Sequence, residues 1–555
     1  MSAFPAPRPH GRRVEQRYAT VDAMICAAVQ ECGVGSPRLA VTGPAGAITW
    51  PGLARGASRV AGNISSRGLG RGDRIAVLAR RDTRLPVMVA GILHSGAVYC
   101  PLEVDSPTER LRWQLEDLQP ELVMLLGVEQ SAEQELRRVV AEACAAEVWV
   151  GGAECDRENI DESGGPLQGS GALLDVNTDI CPEDPCYITF TSGSTGRPKA
   201  VVNTHRGVAC HLEWSARIVG PGEELRVLQK APAVFDVGIA EILNPLANGG
   251  TVVMPDSQWW MGDIDGFLDL LVDYQVSVLS MVPSMLGTLL DVMDDMGEPL
   301  ERLAGLKHLL LGGEAVPSAL AERCLRQIGC RVHGLYGPTE AAMDVLWVEY
   351  TEELLAELAG YSAGDGRQPS LLGLPQDNVS CYLRDEDGKE VTDPGQVGEL
   401  CIAGVQVATG YWRRPELTAQ SFVPSWCPQV DGGRMYCTGD LARWNQAGLL
   451  EFVGRVGDQV KIRGNRVELG EVDAALRRVP GVRQAASRVV GEDSSVLVGY
   501  VVWDQEAVVL PPTEVAAVLR ESVPEYMVPS RVVTLQALPL SSNGKLNRRA
   551  LPDPN

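Results

Sequence analysis

The sequence predicts a large layered α/β body over residues 1–456, followed by a small α+β unit over 457–555. Length is the first reason: 555 residues exceed a single ordinary domain, which holds about 100–200. The second is alternation. β-rich runs such as Arg74–Leu78, Leu122–Leu126 and Thr251–Met254 interleave with helical stretches such as Ala132–Cys144 and Asp263–Tyr274, a pattern that predicts layered, largely parallel sheets. The third is the change after about Val456 to short strands and helices packed closely together. Gly- and Pro-rich breaks at Gly151–Gly171 and Gly360–Ser370 read as surface loops inside the body.

Composition narrows the class. An apolar fraction of 45% suffices for several cores, and a formal net charge of −23 argues against nucleic acid as the main partner. The fourteen cysteines form no CxxC pair and no framework, so they read as reduced thiols of a cytoplasmic protein. The N-terminus lacks the apolar stretch of a secretory signal. Val87–Leu102, the most apolar long segment, is broken by His94 and Ser95 and is too short to span a bilayer, so no membrane role is expected.

The stretch Cys186–Val202 reads CYITFTSGSTGRPKAVV. An apolar strand runs into Thr191, Ser192, Gly193, Ser194, Thr195 and Gly196, and Lys199 follows Pro198. Glycines let backbone approach phosphate oxygens, hydroxyls donate neutrally, and the lysine adds a charge. The G-x-x-x-x-G-K-[ST] spacing of a Walker loop is absent.

This loop resembles the phosphate-binding signature of the adenylate-forming superfamily: acyl- and aryl-CoA synthetases, luciferases and nonribosomal peptide synthetase adenylation domains. Further matches follow in order over nearly the whole chain. They are Ile92–Pro107 (ILHSGAVYCPLEVDSP), Leu335–Glu340 (LYGPTE), Gly398–Trp412 (GELCIAGVQVATGYW), Tyr436–Leu441 (YCTGDL), Gly454–Glu471 (GRVGDQVKIRGNRVELGE), Tyr526–Pro529 (YMVP) and Ser542–Arg548 (SNGKLNR). The resemblance implies attack of a carboxylate on the α-phosphorus of ATP, with pyrophosphate leaving; positioning and charge neutralisation then dominate catalysis. It implies that Tyr336 stacks on adenine, Thr339 bonds the α-phosphate, and Glu340 holds Mg2+. Asp440 would accept from the ribose, Arg455 would sit by ribose and phosphate, and Lys545 would bridge the substrate carboxylate and the α-phosphate. Gly312, Gly313, Glu314 and Gly337 complete the implied nucleotide side.

Within that superfamily, amino-acid-activating members carry an aspartate after a phenylalanine, where it pairs with the substrate ammonium. Here the stretch is Phe235-Asp236-Val237-Gly238, with glycine where serine is usual, so Asp236 is the implied amine anchor. The remaining pocket positions carry over as Val237, Ala240, Ser280, Leu310, Gly312, Leu335, Met343 and Asp344. Ala240 stands where tryptophan is common, which implies room. A buried, unpaired Asp344 would be costly, so a side chain with a donor or positive charge is favoured. The pocket resembles arginine-selecting ones in Val237, Ala240 and Asp344, and serine-selecting ones in Leu310, Leu335 and Asp344. The space beside Ala240 turns the expectation towards a basic amino acid.

The resemblance also implies that the small unit is a mobile lid and that a second half-reaction follows, in which it rotates and a thiol attacks the adenylate. Lys461 is the implied contributor, and the thiol belongs to coenzyme A or to a carrier protein's phosphopantetheine. Because the chain stops soon after Leu551, a freestanding enzyme serving a carrier protein in trans is expected; a small activating partner stays open. The hinge departs from the family's Gly-Arg-x-Asp: Gly457 takes the aspartate's place and Asp458 follows, so rotation is expected to persist without a side-chain lock. A coenzyme A ligase and an inactive scaffold remain as alternatives.

Overall fold

Strands form where apolar runs are covered on both faces. Leu122–Leu126 and Val98–Leu102 are buried at every position, as parallel strands flanked by helices must be. The computed structural model describes residues 8–33, 35–151, 174–193, 197–256, 263–359, 370–426, 433–462, 464–491, 496–504, 507–539 and 546–554. Most of the two expected Gly-rich loops lies outside them, as do Ser194, Thr195, Gly196 and Lys545.

Two sheets build the body. In the first, Val98–Leu102, Arg74–Ala79, Leu122–Leu126 and Glu147–Val150 run parallel. Pro185–Thr191 joins them beside Val98–Leu102, and Lys199–Thr204 returns antiparallel to it. Helix Trp50–Ser66 starts at Thr49, whose side chain accepts from Gly52 N, and has proline in its first turn. It lies close against helix Leu85–His94: a Cβ on Gly91 would come within 2.5 Å of Val60 Cβ.

The second sheet corrects the expectation of largely parallel pairing. Its first half is parallel, from Leu39–Gly43 through Thr251–Val253, Arg226–Leu228, Val278–Met281 and His308–Leu311 to Arg331–Tyr336. From Leu346–Tyr350 onwards, through Ser370–Pro375, Leu450–Arg455, Arg434–Trp444, Gly398–Gly404 and Val379–Arg384, pairing is antiparallel. Parallel neighbours need long crossovers, whereas antiparallel ones need only turns. The crossover helices cease after Ser318–Gln327, and the pairing changes with them.

The C-terminal unit holds a hairpin, Gln459–Ile462 with Asn465–Glu468. A three-stranded sheet of Val482–Val490, Val496–Trp503 and Arg531–Thr534 follows. It has a core of its own, including Val467, Val472, Leu476, Val501, Leu519 and Met527. The unit is pinned to the body by the buried pair Arg110–Glu471 at 2.6 Å, and Glu471 also accepts from Gly193 N at 3.3 Å. No helix among the described residues is long and apolar enough to cross a membrane, and their cysteines are free thiols.

Candidate active site between body and lid

Sheet geometry brings the motifs together. The loop Thr191–Lys199 closes an antiparallel pair in which Thr191 lies opposite Lys199, so it is a hairpin tip rather than a strand-to-helix turn. Gly193 is required there, because a Cβ would meet Arg197 O at 2.0 Å. Strand Arg331–Tyr336 ends beside it and leads into a short turn of helix at Thr339–Ala341. Asn203 Nδ2 donates to Thr339 O at 3.0 Å, tying the two segments.

Glu340 is fully buried at the centre. Its Oε1 accepts from Tyr411 OH at 2.8 Å and lies 3.1 Å from Lys199 Nζ, while Oε2 accepts from Arg466 Nη1 at 2.8 Å. Burial alone would raise its pKa, but Arg466, then Lys199 and the Tyr411 hydroxyl, hold the carboxyl well below the usual range. Burial lowers the Lys199 ammonium, with Glu340 opposing.

Tyr336 and Asp440 form a second polar group. Tyr336 OH donates to Asp440 Oδ2 at 2.5 Å, and Arg455 Nη1 donates to Oδ1 at 2.6 Å. The latter pair sits directly across strands Arg434–Trp444 and Leu450–Arg455. Burial, then Asp440, push the Tyr336 phenol well above its ordinary value. Lys461 is exposed as a whole residue, yet its Nζ lies 5.6 Å from the Tyr336 ring centroid. Desolvation of that end lowers its pKa, while Asp440 and Asp344 oppose the fall.

A third group holds the residues that the resemblance assigns to an amino-acid pocket. Asp236 begins helix Asp236–Ala247, and its Oδ1 accepts from Val237 N at 2.9 Å. Gly238, the departure from the expected serine, packs against backbone: a Cβ would meet Pro232 O at 2.2 Å. Asp344 follows two non-glycine residues in left-handed backbone, Ala342 at φ 49° and Met343 at φ 78°. Such conformations cost of order 1–3 kcal/mol each and persist where surroundings enforce them. Gln406 Nε2 does so by donating to Asp344 O at 2.8 Å and Ala342 O at 3.3 Å. Gly337 completes the turn, because a Cβ there would meet Met343 O at 1.9 Å. Burial and then Asp236 push Asp344 up to about 7, against Lys461. Asp236 is also raised by burial, while a Thr339 hydrogen bond lowers it.

The other predicted positions divide. Ser280 and Leu310 are opposite residues on parallel strands, and a Cβ on Gly312 would lie 3.3 Å from Leu335 O, so these four share one floor. Ala240 lies one helical turn beyond Asp236 and packs on the main core, whereas Val237 is 40% exposed. Gly313 stands 3.5 Å, through a notional Cβ, from Gly464 of the lid hairpin. Glu314 instead accepts from Ser284 N at 3.3 Å, at the start of helix Pro283–Met296. Gly457 has φ 95° with open space around it. Asp458 pairs with Arg548 Nε at 2.8 Å, a contact inside the C-terminal unit that does not tie it to the body.

The chain matches the model of the AMP-binding enzymes over residues 31–412 and that of their C-terminal domain over 471–545. It belongs to the AMP-binding enzyme family. Its chemistry is that of an ATP-dependent, AMP-forming ligase, with the adenylation domains of nonribosomal peptide synthetases among its relatives. Vanchrobactin synthetase VabF from Vibrio anguillarum is 34% identical over 92% of this chain and 17% of its own length. Enterobactin synthase component F from Escherichia coli (strain K12) is 34% identical over 88% of this chain and 36% of its own length. The chain thus spans about a third or less of these relatives. A solved nonribosomal peptide synthetase protein with adenylation and PCP domains shares the fold at TM-score 0.73 and 24% identity, covering 96% of this chain and 84% of that one.

Arg466 and Tyr411, two of the three cationic or hydroxyl partners of Glu340, were not singled out from sequence. Both lie inside quoted motifs, Gly454–Glu471 and Gly398–Trp412. A positive residue in a segment expected to swing towards a buried carboxylate was the available signal.

Proposed function

We propose that this chain activates a basic amino acid with ATP to its aminoacyl-adenylate and passes it to the phosphopantetheine thiol of a carrier protein. One observation supports the substrate: two carboxyls, Asp236 and Asp344, stand near enough that Asp236 adds to the rise of Asp344, and each is raised by burial. Two like charges held apart from water are unfavourable until cations arrive. An amino acid with a cationic side chain supplies two, its ammonium at Asp236 and its side-chain charge at Asp344. Asp344, being raised to about 7, could also share a proton with a hydroxyl, which favours serine as the second reading.

At the other end, Glu340 fits a magnesium ion. It is a fully buried carboxylate oxygen donor, and a buried carboxylate needs a cation beside it, which Arg466 and Lys199 supply in this lid position and a magnesium ion would supply once Arg466 withdraws. Bound there with ATP, the ion would supply charge neutralisation at the phosphates. Thr339 and the loop Thr191–Lys199 would position the triphosphate, Asp440 the ribose, and Lys545 the reacting carboxylate. The PCP domain of the solved synthetase that shares this fold, and the synthetase relatives, support a carrier as acceptor.

ATP–pyrophosphate exchange over an amino-acid panel tests the reading. Arginine, ornithine or lysine should give the strongest exchange; an aliphatic winner overturns the role of Asp344. Coenzyme A accepted in place of every carrier protein overturns the acceptor.

A further inference from the structure

The lid reaches Glu340 with a charge of its own. Arg466 begins no catalytic step in the reading above, yet its guanidinium takes Glu340 Oε2 at 2.8 Å, and Glu340 is wholly buried. Tyr411 and Lys199 occupy Oε1. The same hairpin latches the phosphate loop, since Arg466 O accepts from Ser192 Oγ at 3.1 Å. The docked lid therefore brings a cation to the carboxylate and a clasp to the loop at once.

We propose that Arg466 is the alternate occupant of the carboxylate that holds the metal: the docked hairpin and a Glu340-bound divalent cation exclude one another. This rests on the reading that Glu340 holds magnesium. Charge and space both demand the exclusion. One carboxylate already faces two cations here, and a divalent ion added without phosphates would leave four positive charges against one negative in a buried site. A magnesium ion also needs its ligand oxygen at about 2.0–2.1 Å, within the space a guanidinium hydrogen bond fills. With ATP present, the phosphates balance the ion and the hairpin stays away. Once pyrophosphate and metal leave, Glu340 would remain buried with its Oε2 unpaired, which is costly. Arg466 then fills that position, so metal departure favours the lid position seen here. Arg466 is thus a positioning residue: it acts through Glu340 and sets the order in which metal leaves and lid docks.

Mn2+ serves as the probe, with binding read by electron paramagnetic resonance and lid docking by hydrogen exchange of amides 459–468, both without nucleotide. In the native chain, rising Mn2+ should increase exchange across the hairpin. Arg466→Gln should bind Mn2+ about tenfold or more tightly, as removal of a close like charge implies, and should leave the hairpin exchanging fast at every Mn2+ concentration. Arg466→Lys, which keeps the charge, should fall between them and serves if the glutamine variant does not fold. Equal Mn2+ affinity in the native and both variant chains, or a hairpin that stays protected at saturating Mn2+, overturns the proposal. Mn2+ binding that survives Glu340→Gln overturns instead the placement of the metal on Glu340, and the two failures are distinguishable.

Discussion

The two ends of the cleft hold carboxylates under opposite conditions. Glu340 faces Arg466, Lys199 and the Tyr411 hydroxyl, and its pKa lies well below the usual carboxylate range. Asp344 faces another carboxyl, Asp236, with only Lys461 opposing, and rises to about 7. Burial acts on both in the same direction, so the difference comes from what the chain places alongside. At the nucleotide end the protein supplies its own cations. At the other end, under the proposed function, it leaves the charge to be met by the substrate.

The largest effect should come from breaking the satisfied end. Glu340→Gln removes the charge that pairs Arg466 and Lys199 and leaves both cations in a dry site. Breaking one partner of a buried ion pair costs about 3–5 kcal/mol, so urea unfolding should show a loss of that order. It should be largest at low salt and accompanied by release of the lid hairpin. A loss under 1 kcal/mol, of the order of a surface pair, would mean that Glu340 is not the anchor between body and lid.

The unsatisfied end should respond to pH in the opposite sense. The carboxyl of Asp344 is raised from 3.8 to about 7 in the folded chain, so the fold binds that proton more tightly than the unfolded chain does. The associated stability is present below the unfolded value and is lost as pH rises through about 7. Asp344→Asn should therefore melt higher than the native chain at about pH 8, with the gap closing towards pH 5. A cationic side chain needs Asp344 ionised, so KM for a basic amino acid should fall as pH rises through about 7 in the native chain. In the variant that dependence should flatten, and kcat/KM at high pH should drop about 10- to 100-fold, the worth of one charged contact. A pH-independent KM in the native chain would place the substrate's charge elsewhere.

Much of this contrast was legible in the sequence because short motifs carry both residue type and local backbone. LYGPTE put Tyr336, Thr339 and Glu340 on one strand end, and Phe235-Asp236 put a carboxylate at a helix start. The antiparallel half of the second sheet was less legible, since a strand's partner depends on connections far along the chain. The preoccupation of Asp440 by Tyr336 and Arg455, and of Glu340 by Arg466, was illegible for a related reason. Those contacts depend on residues 104 and 126 positions apart, and the second depends also on where the lid sits. Motif order gives the members of a site but not which of them neutralise one another.

The smallest effect should isolate the hinge that connects the two conditions. Gly457 adopts φ 95°, and nothing lies within 4 Å of where its Cβ would be. Gly457→Ala therefore meets no atom and acts through the backbone alone, at a cost of about 1 kcal/mol for the left-handed region. That cost applies only to lid positions that keep a positive φ at this residue. The docked state should lose about fivefold in population, read as faster hairpin exchange, while Glu340 and Asp344 keep their surroundings in the body. Gly457→Pro, whose ring fixes φ near −65°, should abolish docking and with it thioester formation, and should leave the adenylation half-reaction in place. Equal hairpin protection in the native chain and both variants would move the pivot away from Gly457.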